Sequence, residues 1–194
     1  MAALSWTGSI WNLREADPDR VSRIARAARL GPVAARCLAL RWPGEGTPDP
    51  AWLQPSISAL HDPNRMHGME RAVERLERAL AQCEPVRIIT DYDVDGTTSS
   101  LILQAALRLR QPKLPLDYHI PNRFDEGYGF SVKAAQKAAE DGVKLIVTAD
   151  IGVRDHAAVQ AAVDGGVDVL ICDHHLPAGA DVPQNALVLC PPQA

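Results

Sequence analysis

Two hydrophobic patterns divide the chain near residue 84. The first is helical, because one segment carries an apolar stripe with a period of 3.6 residues. The stripe consists of Met69, Val73, Leu76 and Leu80. From Val86 onward, short runs of β-branched and aliphatic residues alternate with helix-forming segments. This alternation predicts an α/β domain over residues 85–194, with a mainly parallel sheet and helices on both faces, preceded by a helical region over residues 1–84 that packs on it.

Capping and turn residues locate the individual elements. The predicted helices of the first region begin at Asp17-Pro18, Pro32 and Asp62-Pro63, and the first two end at Gly31 and Arg41. In the second region we predict strands at residues 86–90, 116–120, 144–148 and 167–171, and a last apolar run at 186–189. The predicted helices there run from about 97 to 110, from the cap Ser131 to Gly142, and from the cap Asp155 through Val163.

Composition narrows the class of protein. The 194 residues are 46% hydrophobic, enough for one α/β domain with a helical appendage. The net charge of −4 argues against a generally basic nucleic-acid binder, but cations bound to local carboxylates would still admit a phosphate-bearing substrate. No apolar run approaches the ~18 residues of a membrane span, and the N-terminus lacks the pattern of a signal peptide. Four isolated cysteines argue against a zinc ribbon and suit a reducing compartment: Cys37, Cys83, Cys172 and Cys190. We therefore expect a cytoplasmic protein without membrane contact.

Acidic and imidazole side chains follow three of the predicted strands. The first strand ends in a run of alternating carboxylates, the third ends at a carboxylate, and the fourth ends in an acidic residue and two histidines. These residues are Asp91, Asp93 and Asp95, then Asp150, then Asp173, His174 and His175. The carboxyl ends of parallel strands meet at one edge of a sheet, where ligands bind. Clustered like charges are costly there unless cations neutralise them, so the sequence predicts a divalent-metal site.

Other acidic motifs fit less well. An EF-hand loop starting at Asp91 would need a glutamate at its twelfth position, which is Ile102, and a helix before it, where a strand is predicted. An acidic turn that caps the next helix would not use three carboxylates. Neither a P-loop nor a dinucleotide-binding glycine pattern is present in the sequence. Mixed carboxylate and imidazole ligands suit Mn²⁺ or a similar ion, and their number suffices for two ions.

Three motifs resemble those of a known family. DYDVDGTTSS, the TAD that ends at Asp150 and the ICDHH that ends at His175 are similar to the first three motifs of the DHH phosphoesterases. Within that family the chain most resembles the RecJ group, which are single-strand-specific 5′-to-3′ exonucleases. The resemblance extends over nearly the whole chain, through HDPNRMHGMERAVERLERAL, YHIPNRFDEGYGF and ICDHHLPAGADVPQNALVLCP.

The resemblance implies roles for individual residues. It implies metal ligation by the residues Asp91, Asp93, Asp95, Asp150 and His174, which with His175 would form the catalytic centre. His175 would be a ligand or act on the substrate phosphate, and Asp173 would orient the neighbouring imidazole. Arg123 would contact a substrate phosphate, or else pair with Asp125 or Glu126. The remaining histidines have no ligand spacing and are expected to be structural or exposed: His61, His67, His119 and His156.

The same resemblance implies a function and its partners. We expect an enzyme that binds two Mn²⁺ (or Mg²⁺) ions and hydrolyses single-stranded DNA in repair and recombination. Its further partners are expected to be repair or replication proteins, and we expect it to be a monomer. Alternatives are a DHH enzyme for short oligonucleotides, cyclic dinucleotides or pyrophosphate, and a non-catalytic binding module. Phe124, Tyr128 and Phe130 form the local aromatic group, which either packs or stacks on bases.

Three departures from the family pattern bear on activity. The family usually has asparagine where this chain has Ile151, and an apolar side chain there would weaken the metal site or substrate positioning. Cys190 stands where the family usually has asparagine. The family's fourth motif, with another metal-ligating aspartate, lies further along than Ala194. We therefore expect the N-terminal part of a longer nuclease, or a truncated relative.

Overall fold

The structure is a computed structural model that describes residues 2–4, 6–44, 46–49, 53–54, 56–177, 179 and 181–191. The chain forms two compact units, Met1–His61 and Asp62–Ala194. The sequence pattern predicts a domain boundary after residue 84, whereas in the structure the helix that precedes the first strand of the parallel sheet packs within the second unit. The packing of the first unit on the second stays a prediction.

The first unit combines a hairpin with two helices. Strands β1 (Ala2–Leu4) and β2 (Ile10–Asn12) pair antiparallel, and helices α1 (Pro18–Ala28) and α2 (Pro32–Arg41) follow. A 3₁₀ turn covers Ile57–Ala59. The apolar faces of the two helices form a small core of Ile24, Ala35, Leu38 and Ala39. Both helices begin at the predicted prolines, but the hairpin was not predicted, because three-residue strands leave no readable alternation.

The second unit is built on a five-stranded parallel sheet. Its elements are a 3₁₀ turn (Pro63–Arg65), α3 (Met69–Gln82), β3 (Val86–Thr90), α4 (Val94–Arg110), β4 (Leu116–His119), α5 (Val132–Glu140), β5 (Leu145–Ala149), α6 (His156–Asp164), β6 (Asp168–Cys172) and β7 (Leu187–Leu189). The strand order is β4-β3-β5-β6-β7, and every adjacent pair is parallel. The predicted parallel α/β fold is confirmed.

Apolar cores cover both faces of this sheet. Helices α5 and α6 pack around Ile89, Ile146 and Ile171 on one face. Residues from α3 and α4 pack around Ile88 and Val147 on the other face. Because consecutive strand residues point to opposite faces, strands buried on both sides read as continuous apolar runs. This explains why the strands were predicted within one residue of their observed bounds.

The first residues of two helices differ from the predicted ones by more than the strand bounds do. Helix α4 begins at Val94 instead of about 97, because Asp93 caps it and the acidic run enters its first turn. The third helical region opens as a 3₁₀ turn, and α3 starts at Met69 after Gly68. None of the helices in the described part of the chain combines the length and apolar character that a bilayer-spanning segment needs.

Candidate metal centre

Strand register brings three carboxylates to the same level of the sheet. Thr90 of β3 is paired with Ala149 of β5, and Ala149 is paired with Cys172 of β6. The next residue of each strand is Asp91, Asp150 and Asp173, respectively. The carboxyl ends of β3, β5 and β6 therefore deliver acidic side chains to one edge, as the alternating pattern predicted.

Two groups of potential metal ligands share one residue. Asp91, Asp93 and Asp150 offer oxygen atoms that all lie within 4.8 Å of one another. Asp150, His174 and His175 offer a second set within the same distance. Asp95 belongs to neither group among the described residues; it lies in the first turn of α4 and lines a cleft of about 480 Å³ together with Asp150 and His174.

Local backbone geometry holds the first carboxylates in place. The Oδ1 atom of Asp93 accepts hydrogen bonds from the backbone N–H groups of Asp95 (2.9 Å) and Gly96 (3.1 Å), which caps helix α4. The Oδ1 atom of Asp91 accepts from the backbone N–H of Tyr92 at 2.7 Å. Gly96 packs so tightly on the backbone of Asp91 that a Cβ atom at this position would lie 2.6 Å from the carbonyl carbon of Asp91.

The shared residue Asp150 adopts an unusual backbone conformation. Its φ of 65° lies in the left-handed region, which non-glycine residues rarely occupy, and its N–H donates to the carbonyl of Cys172 at 3.0 Å. Gly152 follows with a φ of 118°. Left-handed backbone at a non-glycine residue costs free energy and is often found at functional sites.

The negative charges of Asp93 and Asp150 repel each other. Backbone N–H donors, that of Gly96 first, hold the pKa of Asp93 below its usual range. Burial raises the pKa of Asp150, and the adjacent carboxylate of Asp93 adds to this effect, although a hydrogen bond from His174 counteracts it. A divalent cation between these carboxylates would remove the repulsion, so the donor set fits such an ion.

The two imidazoles have different partners. The Nε2 atom of His174 lies 2.9 Å from Oδ1 of Asp150, and the Nδ1 atom of His175 lies 2.8 Å from Oδ1 of Asp173. Asp173 also accepts from the backbone N–H groups of Val153, His174 and His175. Burial alone would raise the pKa of Asp173, but these donors together lower it. An ionised Asp173 therefore fixes the proton of His175 on Nδ1 and leaves Nε2 free to bind.

A loop beside the centre brings an arginine and two tyrosines together. The guanidinium carbon of Arg123 lies 4.7 Å from the ring centre of Tyr92, and the rings of Tyr92 and Tyr128 meet edge-to-face at 6.2 Å. Burial and the nearby carboxylates, that of Asp91 first, raise the pKa of Tyr128 to about 12. The two acidic residues that follow Arg123 in the loop have other partners, because Glu126 pairs with His119 and Asp125 with Asn122. Sequence reasoning missed Tyr92, although it stands between two site aspartates.

The departures from the family pattern lie in apolar surroundings. Ile151 is 2% exposed and belongs to the core under α5 and α6. Cys190 is buried, and its thiol lies 3.4 Å from the carbonyl oxygen of His175. Both residues therefore contribute to packing close to the metal centre.

Comparisons with known proteins match this part of the chain to one family. The family model described as "DHH family, N-terminal domain" matches residues 85–193. The single-stranded-DNA-specific exonuclease RecJ of Bacillus subtilis is 33% identical over 94% of this chain and 23% of its own length. RecJ of Haemophilus influenzae is 38% identical over 70% of this chain and 24% of its own length. The chain thus spans about a quarter of the length of these relatives.

Two solved structures show the same architecture. A crystal structure of exonuclease RecJ bound to manganese superposes with a TM-score of 0.61 at 32% identity, over 68% of this chain and 33% of that one. RecJ from Thermus thermophilus in complex with Mn²⁺ gives a TM-score of 0.60 at 28% identity, over 91% of this chain and 24% of that one.

Proposed function

Since this chain belongs to the DHH family, we propose that it contributes the metal centre of a phosphodiesterase that degrades single-stranded DNA from the 5′ end. The family is established by the match over residues 85–193, and the RecJ relatives support the substrate class. The proposal depends on the position of Asp150. This residue belongs to both ligand groups, and within each group the ligand atoms lie within 4.8 Å of one another, so the two groups could form one centre for two ions. The Mn²⁺-bound RecJ structures support manganese as the metal.

Each side chain of the centre has a task in this proposal. Asp91, Asp93 and Asp150 would hold one ion, and Asp150 and His174, with His175 where it ligates, would hold the other. A divalent pair, when bound, supplies a water of lowered pKa and stabilises negative charge on the reacting phosphate. Asp95, which lines the same cleft, is proposed to complete the ligand shell.

Asp173 acts through His175. By accepting the hydrogen bond of Nδ1–H, it holds the imidazole of His175 so that Nε2 can bind a metal when unprotonated or donate to a phosphate oxygen when protonated. His175 would thereby ligate a metal ion or act on the substrate phosphate, the two roles that the resemblance implies.

Arg123 and the tyrosines are proposed to hold the nucleotide. The guanidinium of Arg123 is exposed beside the carboxylate cluster and offers a planar fork to a phosphate. Tyr92 and Tyr128 present ring surfaces next to the same cluster, and such rings stack on unpaired bases.

Metal binding and hydrolysis test the proposal together. Calorimetric titration of the chain with Mn²⁺ is expected to give saturable binding that Asp93→Ala and Asp150→Ala each weaken at least about tenfold. The control is Asp164→Asn, an exposed carboxylate at the C-terminal end of α6, which should bind Mn²⁺ as the wild type does. Release of nucleotides from 5′-phosphorylated single-stranded DNA is then measured with Mn²⁺ and with EDTA.

The results separate this proposal from its alternatives. Mn²⁺-dependent release from long single strands, abolished by Asp150→Ala, supports the exonuclease. Faster hydrolysis of dinucleotides or cyclic dinucleotides would favour a small-substrate enzyme. Mn²⁺ binding without hydrolysis of any of these substrates would favour a binding module, and absence of Mn²⁺ binding would contradict the metal centre itself.

A further inference from the structure

Helix α1 of the first unit presents a row of arginines to solvent. Arg23, Arg26 and Arg29 are exposed and follow one another at intervals of three residues; Arg23 and Arg26 lie within the helix, and Arg29 is its C-cap. The acid within this helix is Asp19, in its first turn. We call the three side chains the arginine face.

The charge of the first unit differs in sign from that of the rest. Residues 1–61 contain seven arginines, no lysine and five carboxylates, a net charge of +2. Residues 62–194 contain thirteen basic and nineteen acidic residues, a net charge of −6. The overall acidity of the chain therefore conceals a basic first unit, and arginine is the cation whose planar fork matches phosphate.

Arg29 occupies a backbone position that favours glycine. It ends α1 in the left-handed conformation, with a φ of 52°, and its N–H donates to the carbonyl of Ala25. A glycine would adopt this conformation without steric cost. Within the described part of the chain Arg29 forms no ion pair that would compensate for the strain. The favourable interaction of a cation with the helix C-terminus is the structural alternative, and it predicts a loss of stability on replacement.

We propose that the arginine face binds the phosphate backbone of single-stranded DNA outside the metal centre. The choice of DNA rests on the proposed function, whereas the anion-binding surface rests on the exposed arginines. An anionic membrane is disfavoured because the apolar side of α1 is already used: Ile24 is 1% exposed, and Val21 and Ala25 pack with it against α2.

The test measures binding without metal. A fluorescein-labelled oligothymidylate is titrated with the full 194-residue chain in EDTA, and anisotropy gives Kd over a range of salt concentrations. The triple substitution of Arg23, Arg26 and Arg29 by glutamine is expected to weaken binding about tenfold at low salt and to reduce the salt slope by about 2, since each single-strand phosphate contact contributes about 0.7. The triple lysine variant keeps the charge and should stay within about threefold of the wild type.

Arg41→Gln is the matched control. Arg41 is exposed in the same unit and lies at the C-terminal end of α2. The side chain of Arg20, near the start of α1, reaches the carbonyls of Trp42 and Gly44, so Arg41 lies at the end of the helix pair opposite Arg29. This variant removes one charge without touching the arginine face and should bind within about twofold of the wild type.

Folding is checked separately with Arg29→Gly. This variant should unfold at the same or a higher temperature than the wild type, because it removes the left-handed strain, yet bind DNA more weakly. A lower unfolding temperature with unchanged Kd would overturn the proposal in favour of the helix-terminus explanation.

The remaining outcomes also decide. No binding of the wild type in EDTA, equal weakening by Arg41→Gln, or arginine-dependent binding to phosphatidylserine vesicles but not to DNA would each overturn the arginine face as a DNA contact. Because binding is measured without metal, these results are independent of hydrolysis: loss of nucleotide release in Asp150→Ala with unchanged Kd would leave both proposals standing.

Discussion

The Nδ1 atom of His175 lies 2.8 Å from Oδ1 of Asp173, a carboxylate whose side chain is 1% exposed. The same oxygen accepts the backbone N–H groups of His174 and His175, so one buried anion shapes the turn after β6 and selects the tautomer of the imidazole. Asp173 is thus tied to both the folding and the proposed chemistry of this edge.

Asp173→Asn is predicted to impair both roles. An amide carries less negative charge and turns two N–H donors towards groups that are themselves donors, which should lower the free energy of unfolding by about 2–4 kcal/mol. Nitrogen NMR of the imidazole should show a smaller fraction of His175 with its proton on Nδ1, because a neutral amide oxygen accepts more weakly than a carboxylate. Both are measured in EDTA, the first by urea denaturation. Unchanged stability together with an unchanged tautomer would contradict the assigned role.

Gly96→Ala tests the packing of α4 on the acidic loop. Alanine favours a helix over glycine by about 1 kcal/mol. However, its Cβ atom would lie 2.6 Å from the carbonyl carbon and 2.8 Å from the backbone nitrogen of Asp91. Overpacking costs about 1–3 kcal/mol and occasionally more, and a backbone neighbour cannot rotate away, so destabilisation should prevail. We expect a lower unfolding temperature and weaker Mn²⁺ binding, because Asp91 and Asp93 would shift.

Gly31→Ala is the control for this substitution. Gly31 precedes α2 with a φ of −65°, and a Cβ atom added to it would meet no other atom within 4 Å. This change should alter the unfolding temperature little. If Gly96→Ala were as stable as Gly31→Ala, the close approach of α4 to the loop would be wrong.

Much of the fold and the edge of the site could be predicted from the sequence. Strands buried on both faces are continuous apolar runs, and the residues that follow them must meet at one edge in a parallel sheet. That reasoning led to Asp91, Asp150 and Asp173. It did not separate Asp95 from Asp91 and Asp93, because the spacing of a loop does not determine which side chains converge.

Contacts between distant residues could not be predicted. Arg123 meets Tyr92 across 31 positions of sequence, and neither residue type indicates the other. Asp155 was predicted to cap α6, and it does precede that helix, but its side chain accepts the N–H of Phe130 instead of capping. Such pairings depend on how loops fold over the sheet edge, which hydrophobic periodicity does not encode.

Ile151→Asn restores the residue that the family usually has, and it is predicted to destabilise this chain. The side chain of Ile151 is 2% exposed in an apolar core, where an amide would lack partners. We expect a loss of about 2–4 kcal/mol in the free energy of unfolding, against about 1 kcal/mol for Ile151→Val. Urea denaturation measures both. An Ile151→Asn variant that is as stable as the wild type and binds Mn²⁺ more tightly would show that the position belongs to the metal centre.

Stability should depend on pH through Asp155, which anchors the loop beside the centre. Its Oδ2 atom accepts the N–H of Phe130 at 2.8 Å, and the carboxylate lies 3.2 Å from the Cβ position of a residue replacing Gly129. Burial raises the pKa of Asp155, while the N–H of Phe130 counteracts part of this effect. A carboxyl group with a raised pKa binds its proton more tightly in the folded state, so its ionisation destabilises the protein above that pKa.

Asp155→Asn removes this titration and keeps an acceptor for Phe130. As the pH falls from 8 through the raised pKa towards about 4, the wild type should therefore gain stability relative to Asp155→Asn. Asp141→Asn provides a control of opposite sign, because hydrogen bonds from Lys137 and Arg87 lower the pKa of Asp141. The advantage of the wild type over Asp141→Asn should be present above about pH 4 and disappear below it. Urea denaturation from pH 8 to about 3 checks both, and parallel pH profiles for the two variants would contradict the assignment.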